Sequence, residues 1–321
     1  MKKNIIGIDI SKKDFYASFE NKVSKYDNNI KGIKSFIKTL PANSHCVMES
    51  TSTYCYLLAE TLNKANHTAY IVNPVMINNY SKMNLRKAKT DKQDAILIEN
   101  FAHIAIDDLR PYTVASEDLA ECKQVETVIA QLIKQRTALM NQYEALSMYP
   151  KKNKQTLKTL QKLIDELTKQ IKELEAEAAR LVKKEHGEML DKITSIPGIG
   201  ISTAIKLIAL TQGFANFDSA KQVASFFGCC PRVIESGSSV RGRGSISKQG
   251  HSSIRSTLYV CALSAMQCNT TCKELFSRLR QKGKPGKVAQ LAVVNKLIHQ
   301  IFAVVKKNEY FDNSFQISLA N

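Results

Sequence analysis

The chain has no apolar run approaching the ~20 residues of a membrane span. Its opening Met1-Lys2-Lys3-Asn4 leads into a short strand, with neither the apolar length nor the cleavage site of a signal peptide. Both absences point to a cytoplasmic protein with no membrane partner. Zinc-site spacing is lacking too. Cys229-Cys230 and Cys268-x-x-x-Cys272 have no complementary His/Cys pair, so the eight cysteines read as free thiols. Acid is scarce in the last third. Residues 191–321 hold 17 Lys/Arg against 6 Asp/Glu, residues 1–110 hold 16 against 11, and residues 111–190 hold 13 against 12. The net charge of +17 on 321 residues therefore sits mostly in the last third. It calls for a polyanionic partner, nucleic acid rather than a membrane surface.

What is present divides into three parts: residues 1–111, 112–188 and 189–321. In the first, Ile5–Asp9, Phe15–Phe19 and Val23–Tyr26 alternate as short strands, followed by a helix over Ile30–Leu40 stopped by Pro41. Strand Cys46–Glu49, helix Tyr54–Lys64, strand Thr68–Val72 and helix Asp91–Phe101 complete an α/β domain with a mixed sheet. The order is that of a ribonuclease H-like fold, whose first strand is central and carries an acid. In the second part, residues 116–148 and 153–185 are long helices broken at Tyr149-Pro150. Leu157, Leu160, Ile164, Leu167, Ile171, Leu174, Ala178 and Leu181 keep a three-four spacing that predicts a coiled coil, pairing with its own upstream helix or with another subunit. The third part is read as mostly helical. Pro197-Gly198-Ile199-Gly200 predicts a helix-hairpin-helix, whose glycines let backbone amides reach a phosphate, against the plainer reading of a helical turn. Helix is expected over Phe214–Phe227, Ser252–Cys268 and Gly286–Lys306, with a Gly/Ser/Arg-rich loop over Gly228–Gly250.

Two constellations carry chemistry. Asp9 and Glu49 end buried strands, while Asp91 and Asp94 stand three apart on one helical face. Their oxygens suit Mg2+ or Mn2+, and two such ions can stabilise both oxygens of an in-line phosphoryl displacement. The plainer reading makes Asp91 a helix cap and Asp94 first-turn charge. Asp14 lies past the strand end and ranks lower as a ligand. The second constellation is Glu235-Ser236-Gly237-Ser238-Ser239-Val240-Arg241-Gly242-Arg243-Gly244. There an accessible hydroxyl sits beside guanidiniums able to bind a phosphate, with Lys248 just downstream. By itself this is also an ordinary flexible phosphate-binding loop. No histidine adjoins it as a base, His251 lying well downstream.

Taken together, Gly7-Ile8-Asp9-Ile10-Ser11-Lys12, Met48-Glu49-Ser50-Thr51, Lys89-Thr90-Asp91-Lys92-Gln93-Asp94-Ala95 and the Ser236-Gly237 loop resemble the DEDD insertion-sequence transposases. These are the recombinases related to the Piv invertases, with a RuvC-like N-terminal domain, and the resemblance covers nearly the whole length. It implies that Asp9, Glu49, Asp91 and Asp94 bind magnesium and that Ser236 attacks the DNA phosphate, leaving a phosphoserine link. Ser238 and Ser239 stand close enough to exchange with Ser236 under a small shift of alignment. It further implies donor and target DNA as substrates and a structured bridge RNA as guide. A homo-oligomer, dimer or tetramer, would share a composite site across subunits. Arg241, Arg243, Lys248, Gly198 and Gly200 become candidate nucleic-acid contacts.

Two other readings remain: a RuvC-like structure-selective nuclease using water, and a non-catalytic nucleic-acid scaffold. Gly-Ile-Asp-Ile-Ser also opens actin-like sugar kinases, but the further Gly-rich phosphate loops those need are not evident.

Overall fold

The computed structural model describes residues 3–50, 53–83, 90–232, 235–236, 240–241 and 245–312, with backbone alone at 232, 235–236 and 240–241. The chain forms two compact units, Met1–Val114 and Ala115–Asn321.

The first unit is built on a five-stranded mixed sheet of order β3-β2-β1-β4-β5. Strands β1 (Ile5–Ile10), β2 (Asp14–Phe19) and β3 (Lys22–Asp27) form an antiparallel meander. β4 (His45–Glu49) and β5 (Thr68–Val72) then extend the sheet parallel to β1 on its other side. β1 is therefore central, compatible with the ribonuclease H-like expectation. The period-two alternation of side chains divides β1, β4 and β5 between two cores. Ile6, Ile8, Ile10, Cys46 and Met48 pack with Ile33 and Phe36 of α1 (Ile30–Thr39) and Leu58 and Leu62 of α2 (Cys55–Lys64). Ile5, Val47, Tyr70 and Val72 face Ile77 of α3 (Pro74–Met83) and Leu97, Ile98 and Phe101 of α4 (Asp91–Ala105). Helix α3 was not anticipated, and α4 runs four residues past the expected Phe101.

The closest approach of sheet and helix is at Gly7. A Cβ there would stand 2.2 Å from the Glu99 amide nitrogen and 2.4 Å from the Ala95 carbonyl oxygen. Both are backbone atoms, so nothing can swing aside. Glu99 is almost fully buried. It accepts hydrogen bonds from Ser18 Oγ and from the Asn21 amide, tying α4 to the β2–β3 turn.

In the second unit, α5 (Glu117–Ser147) and α6 (Lys154–Thr194) lie antiparallel. The Cys122 thiol donates to the Ala178 carbonyl, Ser116 Oγ to Glu185, and Lys184 pairs with Asp118. Of the three-four stripe, Leu160, Ile164, Ile171, Ala178 and Leu181 are buried. The stripe thus packs on its own upstream helix. The expected end near 185 is a kink, because His186 leaves helical geometry (φ −126°, ψ 25°) and the helix resumes to Thr194.

Beyond it come α7 (Ile201–Thr211), α8 (Ala220–Phe226), α9 (Ser252–Cys268), α10 (Thr270–Gln281) and α11 (Gly286–Lys307). The helix expected from Phe214 starts only at Ala220, because Gln212, Gly213 and Phe214 are successively left-handed (φ 52°, 65° and 61°). Helix α10 was not anticipated. By length and composition α11 could cross a membrane, contrary to the expectation that no stretch comes near one. Half of it is buried, with Val293, Val294, Leu297, Ile298 and Ile301 in the core of the unit.

One carboxylate lies on a helix flank inside this unit. Glu126 faces Lys206 at 3.9 Å, yet burial pushes its pKa from 4.5 up to about 7, so the lysine offsets only part of the desolvation. A raised folded-state value means full stability below pH 4.5, lost as pH rises through 7. Glu126→Gln should flatten that slope and raise the melting temperature above pH 7 in pH-resolved thermal unfolding; an unaltered slope would contradict it. Gly7→Ala should cost roughly 3 kcal/mol through overpacking, seen as a lowered denaturation midpoint. An unchanged midpoint would mean that α4 does not press on β1 there.

Candidate functional site

Strand alternation decides where the strand-end acids go. On β1, Ile5, Gly7 and Asp9 share the face that α4 covers, and on β4 His45, Val47 and Glu49 share it. The parallel register pairs Gly7 with Val47 and Ile8 with Met48, which makes Asp9 and Glu49 the next neighbours at the carboxyl ends of adjacent strands. Both are half-buried.

The direction of α4 follows from two anchors. Gly7 abuts its Ala95–Glu99 turn, and Lys3, before β1, pairs with Asp107, beyond the helix C-terminus. The helix thus runs antiparallel to β1, with its first turn toward the Asp9 end. Two strand residues beyond Gly7 span about 6.6 Å, and the three to six helical residues back to Asp94 and Asp91 span about 4.5–9 Å. Asp91 and Asp94 therefore lie at the height of Asp9. They also continue the sheet-facing stripe of Ala95, Ile98 and Ala102. Asp94 is half-buried and Asp91 exposed.

Thr90, not Asp91, is the N-cap. Its side chain accepts from the Gln93 amide at 3.4 Å, so the plainer role for Asp91 is already filled. Asp14 is occupied differently, held well below the usual carboxylate range by hydrogen bonds from Lys25 at 2.6 Å and Ser11 at 2.8 Å.

The topology thus brings all four acids to one edge of the sheet. Among the described residues no three His, Cys, Asp or Glu side chains close around a common point at ligand spacing. In donor chemistry, all-oxygen carboxylates, the four acids suit a hard divalent cation.

The Gly228–Gly250 segment is a two-stage hairpin, not plain loop. β6 (Pro231–Arg232) pairs with β9 (Ser245–Ile246), and β7 (Glu235–Ser236) with β8 (Val240–Arg241). Ser236, opposite Val240, is the last paired residue before 237–239. The side chains of Ser236 and Arg241, and the whole of Ser238, Ser239 and Arg243, lie outside the described residues.

The base of the hairpin is fastened by Arg255, whose guanidinium donates to the Phe227 carbonyl at 2.9 Å. The sequence carried no signal for Arg255, a single cation in a helix. His251 stacks near Phe226 with centroids 4.9 Å apart; burial, then the charges of Lys123 and Arg255, hold its pKa below the ordinary value. Lys248 is exposed at the same base.

Gly198 and Gly200 differ. At Gly198 φ is +103° and a Cβ would stand 2.7 Å from the Ala265 Cβ, so packing on α9 already demands glycine. Gly200 opens on free space as the N-cap of α7.

Comparison with known proteins places these elements. Residues 6–147 match a family model described as "Transposase", and residues 190–277 match "Transposase IS116/IS110/IS902 family". The pilin gene-inverting protein of Moraxella bovis is 33% identical over 97% of this chain and 98% of its own. That of Moraxella lacunata is 31% identical over the same shares. A probable family 20 transposase of Pseudomonas aeruginosa is 24% identical over 94% of this chain and 96% of its own. The chain belongs to the IS110 family of DEDD insertion-sequence transposases. As a family member it is a DNA transposase and recombinase, and DNA is its substrate. In this transposase the first matched segment contains Asp9, Glu49, Asp91 and Asp94, and the second contains Ser236.

Because Thr90 holds the first turn of α4, Thr90→Ala should lower stability by about 1 kcal/mol. Amide exchange at residues 91–94 should speed about fivefold while that of β1 is unchanged. Equal exchange in both proteins would remove Thr90 as the support of the acid pair.

Proposed function

We propose that the chain catalyses metal-dependent DNA strand exchange, with Asp9, Glu49, Asp91 and Asp94 holding magnesium or manganese and Ser236 making a covalent bond to the DNA. The observation that carries this reading is the convergence of two strand-end acids with the first turn of α4; the second matched segment contains Ser236, at the end of the β7–β8 ladder.

The metal, when bound, would supply Lewis-acid stabilisation of the charge that builds on phosphate oxygens. Ser236 Oγ attacks the phosphorus. The Oγ–P bond forms as one bridging P–O bond breaks, the serine proton departs and the freed sugar oxygen takes one up. Attack by a hydroxyl of a second strand on the phosphoserine reverses each change, so joining needs no outside energy. Arg241 and Arg243 bind non-bridging oxygens at the hairpin.

Gly200 and Lys248, beside Gly198 in its structural role, approach backbone phosphates as parts of a helix-hairpin-helix domain over residues 189–321. Residues 1–111 form the RuvC-like domain, and residues 112–188 form a coiled coil through which copies assemble as a dimer or tetramer. A structured bridge RNA pairs with donor and target DNA and supplies the sequence choice.

Ser236→Ala should reduce denaturation-resistant protein–DNA adducts by at least roughly a thousandfold while duplex binding stays within about twofold. Adducts at the normal level would sink the assignment, and their loss only in Ser238→Ala or Ser239→Ala would move it. Asp9→Ala should block strand cleavage. Cleavage by the unaltered protein with no adduct would favour the water-using nuclease. Sequencing of RNA co-purified with the full chain should return one discrete structured species, and its absence would remove the guide.

A further inference from the structure

Between Glu274 and Glu309 the chain has no acid, while it has eight cations: Arg278, Arg280, Lys282, Lys284, Lys287, Lys296, Lys306 and Lys307. Five of these fall within residues 278–287, on the turn from α10 to α11, and all five are exposed. None of the five is ion-paired among the described residues, so their charge is not spent inside the molecule.

The turn itself is a built one. Gly283 is left-handed (φ 73°), its amide reaches the Arg280 carbonyl at 3.0 Å, and the Lys284 amide reaches the Leu279 carbonyl at 3.1 Å. Arg280 donates to the Lys284 carbonyl at 2.7 Å, and the Ala289 amide to the Pro285 carbonyl at 3.1 Å. Behind it Ala289 is fully buried and Gln290 donates to the Tyr259 carbonyl at 2.8 Å. A solvated lysine tail loses backbone entropy when it binds a polyanion; here the backbone is already ordered.

We infer that the α10–α11 turn is a preformed clamp for the sugar-phosphate backbone of duplex DNA, gripped by Arg278, Lys282, Lys284 and Lys287. The inference rests on the family's action on DNA and adds a surface that neither the acids nor the serine hairpin supplies. Helix α10 also fixes the spacing to the Pro-Gly-x-Gly turn. Its N-cap Asn269 donates to the Pro197 carbonyl at 3.5 Å, and its 12 residues span about 18 Å, close to half a turn of B-DNA. That distance suits two contacts on one duplex better than a flexible single strand.

The test compares the full chain with a fourfold variant, Arg278→Gln, Lys282→Gln, Lys284→Gln and Lys287→Gln. A control carries Lys158→Gln, Lys162→Gln, Lys169→Gln and Lys172→Gln on α6, which removes the same charge elsewhere. Binding of non-specific duplex DNA across salt concentrations should show a log–log slope shallower by about 3 to 4 in the turn variant, at roughly 0.9 per phosphate. In the control it should change by less than about 1.

Equal slopes for turn and control variants, or a loss confined to structured RNA of matched length, would overturn the clamp. Should the fourfold variant fail to fold, Lys282→Gln with Lys284→Gln carries the test with an expected change of about 2. The two readings fail separately: the unaltered protein forming no adduct would sink the serine assignment, with the slope difference still deciding the clamp.

Discussion

The contact between Gly7 and the backbone of α4 is the constraint on which the first unit's geometry rests. Any side chain at Gly7 would collide with the Ala95 and Glu99 backbone, so only glycine lets the helix lie this close to the central strand. Closeness alone would leave the helix free to slide. The hydrogen bonds of Glu99 to the β2–β3 turn and the pairing of Lys3 with Asp107 fix its direction and register. Once those are set, the first turn has no choice of position. Strand alternation turns Asp9 and Glu49 to the same face, and the helical stripe turns Asp91 and Asp94 toward them.

The second unit solves a different problem, that of holding an arm steady at its root. Burying a guanidinium's hydrogen bond at the Phe227 carbonyl, beside a left-handed Gly228, ties the hairpin base to α9. Backbone pairing resumes at position 236, with only two residues in each strand of the β7–β8 ladder.

Much of the first unit was legible because its signals are local and periodic. The apolar run Ile5–Ile8 ended by Asp9 names a strand, and Asp91 and Asp94 three apart before an apolar stretch name a helix start, each without help from the rest of the chain. What was missed lacked such a signal. Helix α3 begins at Pro74 and buries only Ile77, so its apolar stripe is almost absent. Helix α10 buries only Cys272 and reads as charged linker. The helix expected from Phe214 has its apolar residues, but its first residue ends a run of three left-handed ones, Gln212, Gly213 and Phe214, of which glycine alone announces itself. At the site, the four acids could be named from strand ends and spacing. The cap at Thr90 is signalled only by a threonine before the helix, and the adjacent Asp91 competes for the same role in sequence. The dependence of Gly198 on Ala265 is a contact across 67 positions, which no local pattern encodes.

Charge distribution bears on how copies of this transposase could meet. At +17 each, two free chains repel, and the repulsion is strongest between their last thirds at +11 apiece. The α5–α6 hairpin is the exception: residues 111–190 balance to +1. In its distal half α5 buries no residue after Ile129, while Met140 and Leu163 stay about half exposed. A neutral element with open apolar surface is where two such chains can touch without first cancelling charge. On the proposed reading, nucleic acid supplies the remaining neutralisation. Assembly and substrate binding would then be coupled: the polyanion that is cut is also what lets the basic units of neighbouring copies come together.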